Sequence, residues 1–326
     1  MSDPSQLTKK IRAALAPCGL GEWPTPLEPA PALARHLGLV ELAVKREDRS
    51  AARYGGNKVR GLEFLLAGAA PGTTFVTLGG TGSTHCLATA MHAAALGHQT
   101  AVAQFPQPET PASRSVAAAC AARATLVVRA PARAMLPLAV LEAWHRARVL
   151  GPGPRRWIPG GGAHPSAVVG HLLAGLELAL QVTTPPDAIV VPLGTGGTAA
   201  GLLLALGTLG WETRLVGVRV APAVVANRWR TLRMARAARR LLKRAGVTLA
   251  APTSPVVIDR VGRGYGWPTI DGEAARRLAG EQGLILDSTY GAKAFGFLLR
   301  RGTWNVRRVV FWHTFAVPES TLERAP

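Results

Sequence analysis

Two kinds of residue in this chain stand where they could do chemistry: a lysine in a glycine turn, and glycine-rich loops that open helices. The lysine is Lys58, in Gly55-Gly56-Asn57-Lys58, and it is one of few, at positions 9, 10, 45, 58, 243 and 293. Two glycines ahead of it leave room for a bulky flat partner to approach the backbone. A lysine held in a pocket can have its pKa lowered and can condense with an aldehyde. A solvated surface turn accounts for the fragment equally well, so Lys58 alone decides nothing.

The loops narrow the choice. A strand, a glycine turn and a helix together hold an anion, because free N–H groups and the helix dipole point at it. One such stretch is Phe75–Thr84, with Gly79, Gly80 and Gly82, where Ser83 or Thr84 would cap the helix; another is Ile189–Thr198, with Gly194, Gly196 and Gly197. Pro159-Gly160-Gly161-Gly162-Ala163 offers a third. Each loop alone has an ordinary explanation, since Ser and Thr cap helices widely. Combined with Lys58 they suggest a phosphate, a carboxylate and an amine-reactive carbonyl, an inventory that pyridoxal phosphate and an amino acid satisfy. A rival reading takes Gly194, Gly196 and Ala199 as the dinucleotide pattern G-x-G-x-x-A, with Arg219 receiving the extra phosphate of NADP. That short motif leaves Lys58 and the first loop without a role.

The elements that must position these residues alternate. After a helix over Gln6–Leu15, an extended Trp23–Leu27 and a short helix Ala32–Leu37, strands are expected at Glu41–Val44, Thr74–Leu78, Thr100–Phe105 and Thr125–Val128. Helices fall between them, from Lys58 to about Ala69, then Ser83–Leu96, Ser113–Ala122 and Ala134–Val149. A second run places helices at Ser166–Leu180, Thr198–Leu206, Val225–Ala245, Asp271–Gln282 and Ala292–Arg300. Its strands are Ala188–Pro192, Leu215–Val220, Val256–Arg260 and Arg308–Trp312. Such β-α alternation argues for parallel sheets covered on both faces, as two α/β units in one chain.

Composition sets outer limits. With 326 residues, 48% hydrophobic, the chain can bury an ample core. No apolar run reaches the roughly 18 residues of a membrane span, and the N-terminus lacks a secretory apolar region. Cys18, Cys86 and Cys120 are an odd set without metal-type pairing, which favours free thiols and a cytoplasmic setting. The net charge of +19 raises the question of nucleic acid, yet the densest basic stretch, Arg228–Arg244, has the spacing of an amphipathic helix with a solvated face. His85 and His92 lie two helical turns apart, too far for close paired ligation, and no metal site is expected.

With these residues set out, the chain resembles the D-cysteine desulfhydrase / 1-aminocyclopropane-1-carboxylate deaminase family of pyridoxal-phosphate enzymes. The blocks that carry the likeness run in order: PTPLE (24–28), KRED (45–48), GGNKVR (55–60), GGTGSTH (79–85), IPGGGAHP (158–165), GTGGTAAG (194–201), VGRGYGWPT (261–269), LDSTYGAKA (286–294) and FWHT (311–314). The resemblance implies the tryptophan synthase β-like, type II fold, with two open twisted α/β domains and mostly parallel sheets. A larger cofactor domain would comprise residues 1–50 and 160–326, and a smaller one 51–159. It implies Lys58 as the lysine that bonds the cofactor and moves protons, and Asn57 as partner of the cofactor's ring oxygen. Gly194, Thr195, Gly196, Gly197 and Thr198 would bind the phosphate, while Ser83, Thr84 and His85 would hold the substrate carboxylate. Tyr265 and Tyr290 match the two active-site tyrosines, and Ser83 joins them and Lys58 among the catalytic positions. A homodimer acting on a small amino acid by β-elimination is the implied activity, with neither membrane nor nucleic acid as partner. Ring opening, racemisation, dehydration or β-replacement on the same fold, and a non-catalytic basic binding protein, stay open.

Four departures from the family pattern bear on that activity. The second basic position of GGNKxRK is Gly61, so a cationic phosphate contact is missing or comes from elsewhere. Thr84 replaces a common asparagine. Gly291 follows the second tyrosine where a glutamate or small hydroxyl residue is usual, leaving Thr314 as the candidate partner of the pyridine nitrogen. Finally, the family's HTGG is His313-Thr314-Phe315-Ala316, which brings bulk where small residues are usual.

Overall fold

The structure, a computed structural model, describes residues 3–300 and 305–315. The first half of the chain runs α1 (Pro4–Leu15), β1 (Leu27–Pro29), α2 (Pro31–His36), β2 (Glu41–Arg46), α3 (Lys58–Leu65), β3 (Thr74–Gly80), α4 (Thr84–Ala95), β4 (Gln99–Phe105), α5 (Pro111–Arg123), β5 (Leu126–Arg129), α6 (Leu136–Arg146) and β6 (Arg155–Trp157). The second half runs α7 (Pro165–Gln181), β7 (Ala188–Leu193), α8 (Gly197–Leu209), β8 (Arg214–Arg219), α9 (Arg228–Arg244), β9 (Val256–Asp259), α10 (Ile270–Glu281), α11 (Gly291–Leu299) and β10 (Arg308–His313).

Two sheets result. One has the order β1-β2-β10-β7-β8-β9, the other β5-β4-β3-β6. All pairings are parallel except β1 with β2. Every residue of β7, AIVVPL, is buried, as expected of a central parallel strand covered on both faces. The C-terminal strand β10 slots between β2 and β7, with Val310 opposite both Ala43 and Ile189. Loops that carry polar residues therefore emerge from the carboxyl ends of β2, β3, β7, β8 and β10. In open parallel sheets that edge is where ligands bind.

The expected elements are present, with shifted ends. Ala134–Val149 divides into a 3-10 turn, α6 and a second 3-10 turn, because Pro137 has no N–H to give and fits only in a first turn. The basic helix starts at Arg228 rather than Val225, where Asn227 Oδ1 accepts the Arg230 N–H at 2.8 Å. β2 extends through Arg46, so Lys45 and Arg46 belong to the strand, beyond its expected end at Val44. Two three-residue strands, β1 and β6, have no sequence signal; β6, Arg-Arg-Trp, shows no apolar alternation. Among the described residues no helix is long and apolar enough to cross a membrane. Ala316, the last position of the His313-Thr314-Phe315-Ala316 block, lies outside the described residues.

Helix α8 is apolar all round and buried among α7, α9 and the sheet. Its mate α7 also receives α3, which carries Lys58. A Cβ at Gly61 would lie 2.9 Å from the Ala167 Cβ, so glycine there lets α3 sit close on α7.

Candidate active site

Lys58 is set by what surrounds its turn. Gly56 has φ +107, its N–H donates to the Glu47 carbonyl at 2.9 Å, and Ser50 Oγ donates to its carbonyl at 2.8 Å. The Asn57 N–H donates to the Thr314 carbonyl at 2.9 Å, tying the turn to the end of β10. A Cβ on Gly56 would fall 2.9 Å from the Phe315 ring. The room that glycine makes at this position is thus used by Phe315, a partner from the same chain. Lys58 itself is half-buried and donates to the Gly161 carbonyl at 3.1 Å, and burial pulls its pKa down to about 8. With a pKa of about 8, roughly a tenth of the amine is neutral at pH 7, far more than for a free lysine, and the neutral form is the nucleophile and base.

Beneath the lysine lies a buried ionic network. Arg60, one half-turn along α3, donates to Glu47 at 2.7 and 2.8 Å and to Glu177 of α7 at 2.9 and 3.1 Å. Lys45 pairs with Glu177 and donates to the Thr25 carbonyl and to Gln181, each at 2.7 Å. The Arg60 guanidinium also stacks on Trp23, 3.9 Å from the ring centroid. Two cations face two carboxylates, so the burial is electrically balanced, and removing one member would cost about 3–5 kcal/mol. The charged KRED segment is therefore a structural clamp on α3.

Two glycine loops reach the cavity at helix N-termini. At α8 the N-cap is Gly196, φ +89, which has no side chain to turn back on the helix. Thr198 Oγ1 accepts from Asn57 Nδ2 at 2.8 Å, so the Asn57 amide points at this loop. At α4 the N-cap is Ser83, whose Oγ accepts the Cys86 N–H at 3.4 Å. Thr84 lines the cavity next to it. His85 turns inward, its Nε2 3.0 Å from Thr77 Oγ1, and burial followed by the nearby Lys58 lowers its pKa to about 3, keeping it neutral. The third loop, Gly160–Gly162, supplies the carbonyl to Lys58, and Gly161 at φ +67 abuts Thr195.

Tyr265 and Tyr290 also line the cavity, Tyr290 against Gly194. Their hydroxyls are 2.5 Å apart, with ring centroids at 6.0 Å. Burial raises both hydroxyls, that of Tyr265 to about 12. Asp287 holds Tyr290 in place: its carboxylate accepts the N–H groups of Thr289, Tyr290 and Gly291 at 3.0, 2.7 and 2.8 Å. Lys293, buried on α11, donates to the carbonyls of Val261 and Gly264 at 2.9 and 3.1 Å, fastening the turn that carries Tyr265. Next to them, a Cβ at Gly291 would lie 3.1 Å from Asp287 Oδ1 and 3.7 Å from His313 Nδ1. Position 291 thus meets the chain's own carboxylate, and the end of β10 presents Thr314 to the cavity instead.

The expected catalytic, cofactor and substrate residues line one cavity of about 480 Å³: Asn57, Lys58, Ser83, Thr84, His85, Gly194–Thr198, Tyr265, Tyr290 and Thr314. That volume lies within the range of ligand sites. Sequence reasoning missed Phe105, Arg133 and Arg230 on its walls, and Glu47, Glu177, Asp287 and Lys293 behind them, whereas the expected bulk of Phe315 does line the cavity. Asp287 had a signal, an acidic residue just ahead of a helix start. The dinucleotide reading does not survive, since Arg219 is already bonded to the Ala226 carbonyl and to Asp259, at 2.9 and 2.8 Å. His85 and His92 are likewise engaged, with Thr77 and with the Tyr54 carbonyl at 2.9 Å.

A lysine of lowered pKa beside an uncapped helix N-terminus suits a phosphate-bearing aldehyde. Residues 19–314 match the family described as pyridoxal-phosphate dependent enzyme, and the chain belongs to that family. Its cofactor is pyridoxal phosphate, and its mostly parallel α/β architecture is the type II arrangement. Among its relatives, nocardicin C-9′ epimerase of Nocardia uniformis subsp. tsuyamanensis is 34% identical over 309 residues, covering 91% of each chain. D-cysteine desulfhydrase of Klebsiella pneumoniae subsp. pneumoniae is 33% identical over 287 residues, 85% of each. The crystal structure of an ACC deaminase homologue superposes with a TM-score of 0.80 at 28% identity, covering 95% of this chain and 96% of that one.

Proposed function

We propose that this enzyme cleaves a small amino acid by β-elimination, in the manner of a D-cysteine desulfhydrase: the β-substituent leaves with its bonding electrons and takes up a proton, and water then converts the remainder to a 2-oxo acid and ammonia. The observation that carries the reading is the convergence of Lys58, the two glycine loops and the tyrosine pair on one cavity. Bound there, pyridoxal phosphate supplies an aldehyde carbon for covalent attachment and a conjugated ring that stabilises negative charge at the substrate's α-carbon.

The roles follow from position. Lys58 would anchor the cofactor, and its amine, with its pKa lowered to about 8, would be the base that takes the substrate's α-proton. Gly194–Thr198 bind the phosphate through N–H groups and the hydroxyls of Thr195 and Thr198, with Asn57 orienting the ring. Ser83 and Thr84 receive the substrate carboxylate at the start of α4, and His85, neutral, backs them. Tyr290, coupled to Tyr265, orients the substrate and passes a proton. Thr314 offers the ring nitrogen a hydroxyl, not a carboxylate, and no acidic side chain at position 291 holds a proton there. This favours expulsion of a β-substituent over opening of a cyclopropane ring.

Epimerisation is the second reading, favoured by the epimerase relative. Both reactions begin with the same proton removal by Lys58 and part company at the β-carbon. The larger unit would comprise residues 1–50 and 160–326 and the smaller one 51–159. The three free cysteines and the family likeness support a cytoplasmic homodimer.

Borohydride treatment and peptide mapping provide the test. Reduction should fix the cofactor onto Lys58, and Lys58→Ala should keep the fold while turnover falls by about a thousandfold or more. Retained turnover in that variant would sink the assignment. Assay of D- and L-amino acids for 2-oxo acid against inverted amino acid separates elimination from epimerisation.

A further inference from the structure

Arg230 stands out among the arginines of α9. It is the third residue of the helix, anchored by its N–H on Asn227, and it lines the same cavity as Gly194–Thr198. Neighbouring arginines are engaged elsewhere: Arg233 lies over Trp229, Arg239 donates to the Leu249 carbonyl, and Arg219 pairs with Asp259. The Nε of Arg230 is buried without a hydrogen-bond partner, a costly state for a guanidinium N–H. Its helix also abuts the phosphate loop directly, since a Cβ on Gly196 would lie 2.8 Å from Thr231 Oγ1 and 3.2 Å from Met234 Cε. An anion held at the start of α8 would give Arg230 the partner it lacks.

The family pattern carries a basic residue at position 61. Here that place is filled by the contact of Gly61 with Ala167, leaving no room for a long side chain. We propose that Arg230 is the cationic partner of the cofactor phosphate, so that this charge has moved from the lysine-bearing helix α3 to helix α9. The proposal rests on the cofactor assignment and adds a residue to it. Because Gly196 of that loop abuts Thr231 and Met234 of α9, the phosphate would be clasped from the α8–α9 side.

The test compares pyridoxal phosphate with pyridoxal, which lacks the phosphate. Apoenzyme resolved from the holoenzyme is titrated with each, following the absorbance of the cofactor adduct. Arg230→Gln should weaken pyridoxal phosphate by about 10- to 100-fold and leave pyridoxal within about twofold, and Arg230→Lys should recover part of the loss. Added inorganic phosphate should promote pyridoxal binding in the wild type but not in Arg230→Gln. Thermal unfolding of the apo variants controls for folding. Equal weakening of both ligands, or of neither, would overturn the proposal, as would a variant that raises only the KM for the amino acid. A wild type that takes up pyridoxal but shows no gain from the phosphate also overturns it. A wild type that binds neither would instead remove the cofactor reading beneath it.

Discussion

The turns that open α4 and α8 look alike in sequence: each follows a buried strand, each carries three glycines, and each ends in Ser or Thr. In the folded chain they differ by one hydrogen bond. Ser83 spends its hydroxyl on the N–H of Cys86, so the first turn of α4 is partly satisfied from within. At α8 the N-cap is Gly196, and the first-turn N–H groups have no side-chain acceptor of their own. A phosphate carries two charges and several acceptor oxygens, and it suits the uncapped end. A carboxylate asks for fewer donors and can share the capped one. The proposed division of labour between phosphate and carboxylate would thus follow from which helix caps itself.

The largest expected effect comes from placing a negative charge at the uncapped end. Gly197 has no positive φ, and a Cβ there meets only His171 Cδ2, at 3.9 Å, so the backbone and its surroundings accept a side chain at this position, for which Gly197→Asp is the test. An acidic residue in a first turn also favours the helix dipole. Apoprotein stability should therefore hold or rise, while cofactor affinity drops by about 100-fold or more, as a carboxylate within about 4 Å of a phosphate costs several kcal/mol at a semi-buried site. The mirror substitution, Thr84→Asp at the start of α4, should leave cofactor affinity within about threefold and raise the KM for the amino acid. Cofactor titration and steady-state kinetics on the pair decide the matter. Equal cofactor losses in both would mean that the two ends are not specialised.

A smaller effect is expected from Ser83→Ala, which removes the cap alone. The loss should cost about 1 kcal/mol of stability, read from denaturant unfolding. With the carboxylate contact gone as well, KM should rise by about tenfold while cofactor affinity stays put. An unchanged KM would confine Ser83 to capping and hand the carboxylate to Thr84.

Much of this was legible before any fold was known. The β-α alternation, the wholly apolar run of β7 and the motif blocks announced the architecture and every motif residue that lines the cavity. What could not be read was long-range partnership. Nothing local says that β10 inserts between β2 and β7, or that Lys45 meets Glu177 across 132 residues of chain. Arg230 was hidden inside a helix whose periodicity describes a solvated basic face; periodicity assigns faces, and one residue of that face turns into the cavity. The Phe315 departure makes sense only in three dimensions, where the ring packs on Gly56 and on Tyr54, 4.9 Å between centroids. Two of the departures, Gly61 and Phe315, are thus halves of contacts whose other halves lie far along the chain.

A third helix start, that of α11, completes the series, because there the chain supplies its own anion. Asp287 accepts three N–H groups ahead of the helix, and burial outweighs those bonds to push its pKa up to about 6 from 3.8. The folded state therefore binds this proton more tightly than the unfolded chain does. The penalty for holding the charge is fully present above about pH 6 and is relieved as pH falls through 6 towards 3.8, so this group's contribution to stability grows in acid. Full burial would make such a shift worth about 3 kcal/mol, and partial exposure reduces that to about 1 kcal/mol. Activity should move the opposite way. A protonated Asp287 grips the Tyr290 N–H less firmly, so turnover should fall a few-fold below about pH 6 without loss of cofactor. Asp287→Asn should flatten that acidic limb and lower the plateau, and it should abolish the acid-side gain in stability that wild type shows. Should the acidic limb persist unchanged in Asp287→Asn, the titration belongs to another group and α11 drops out of the comparison.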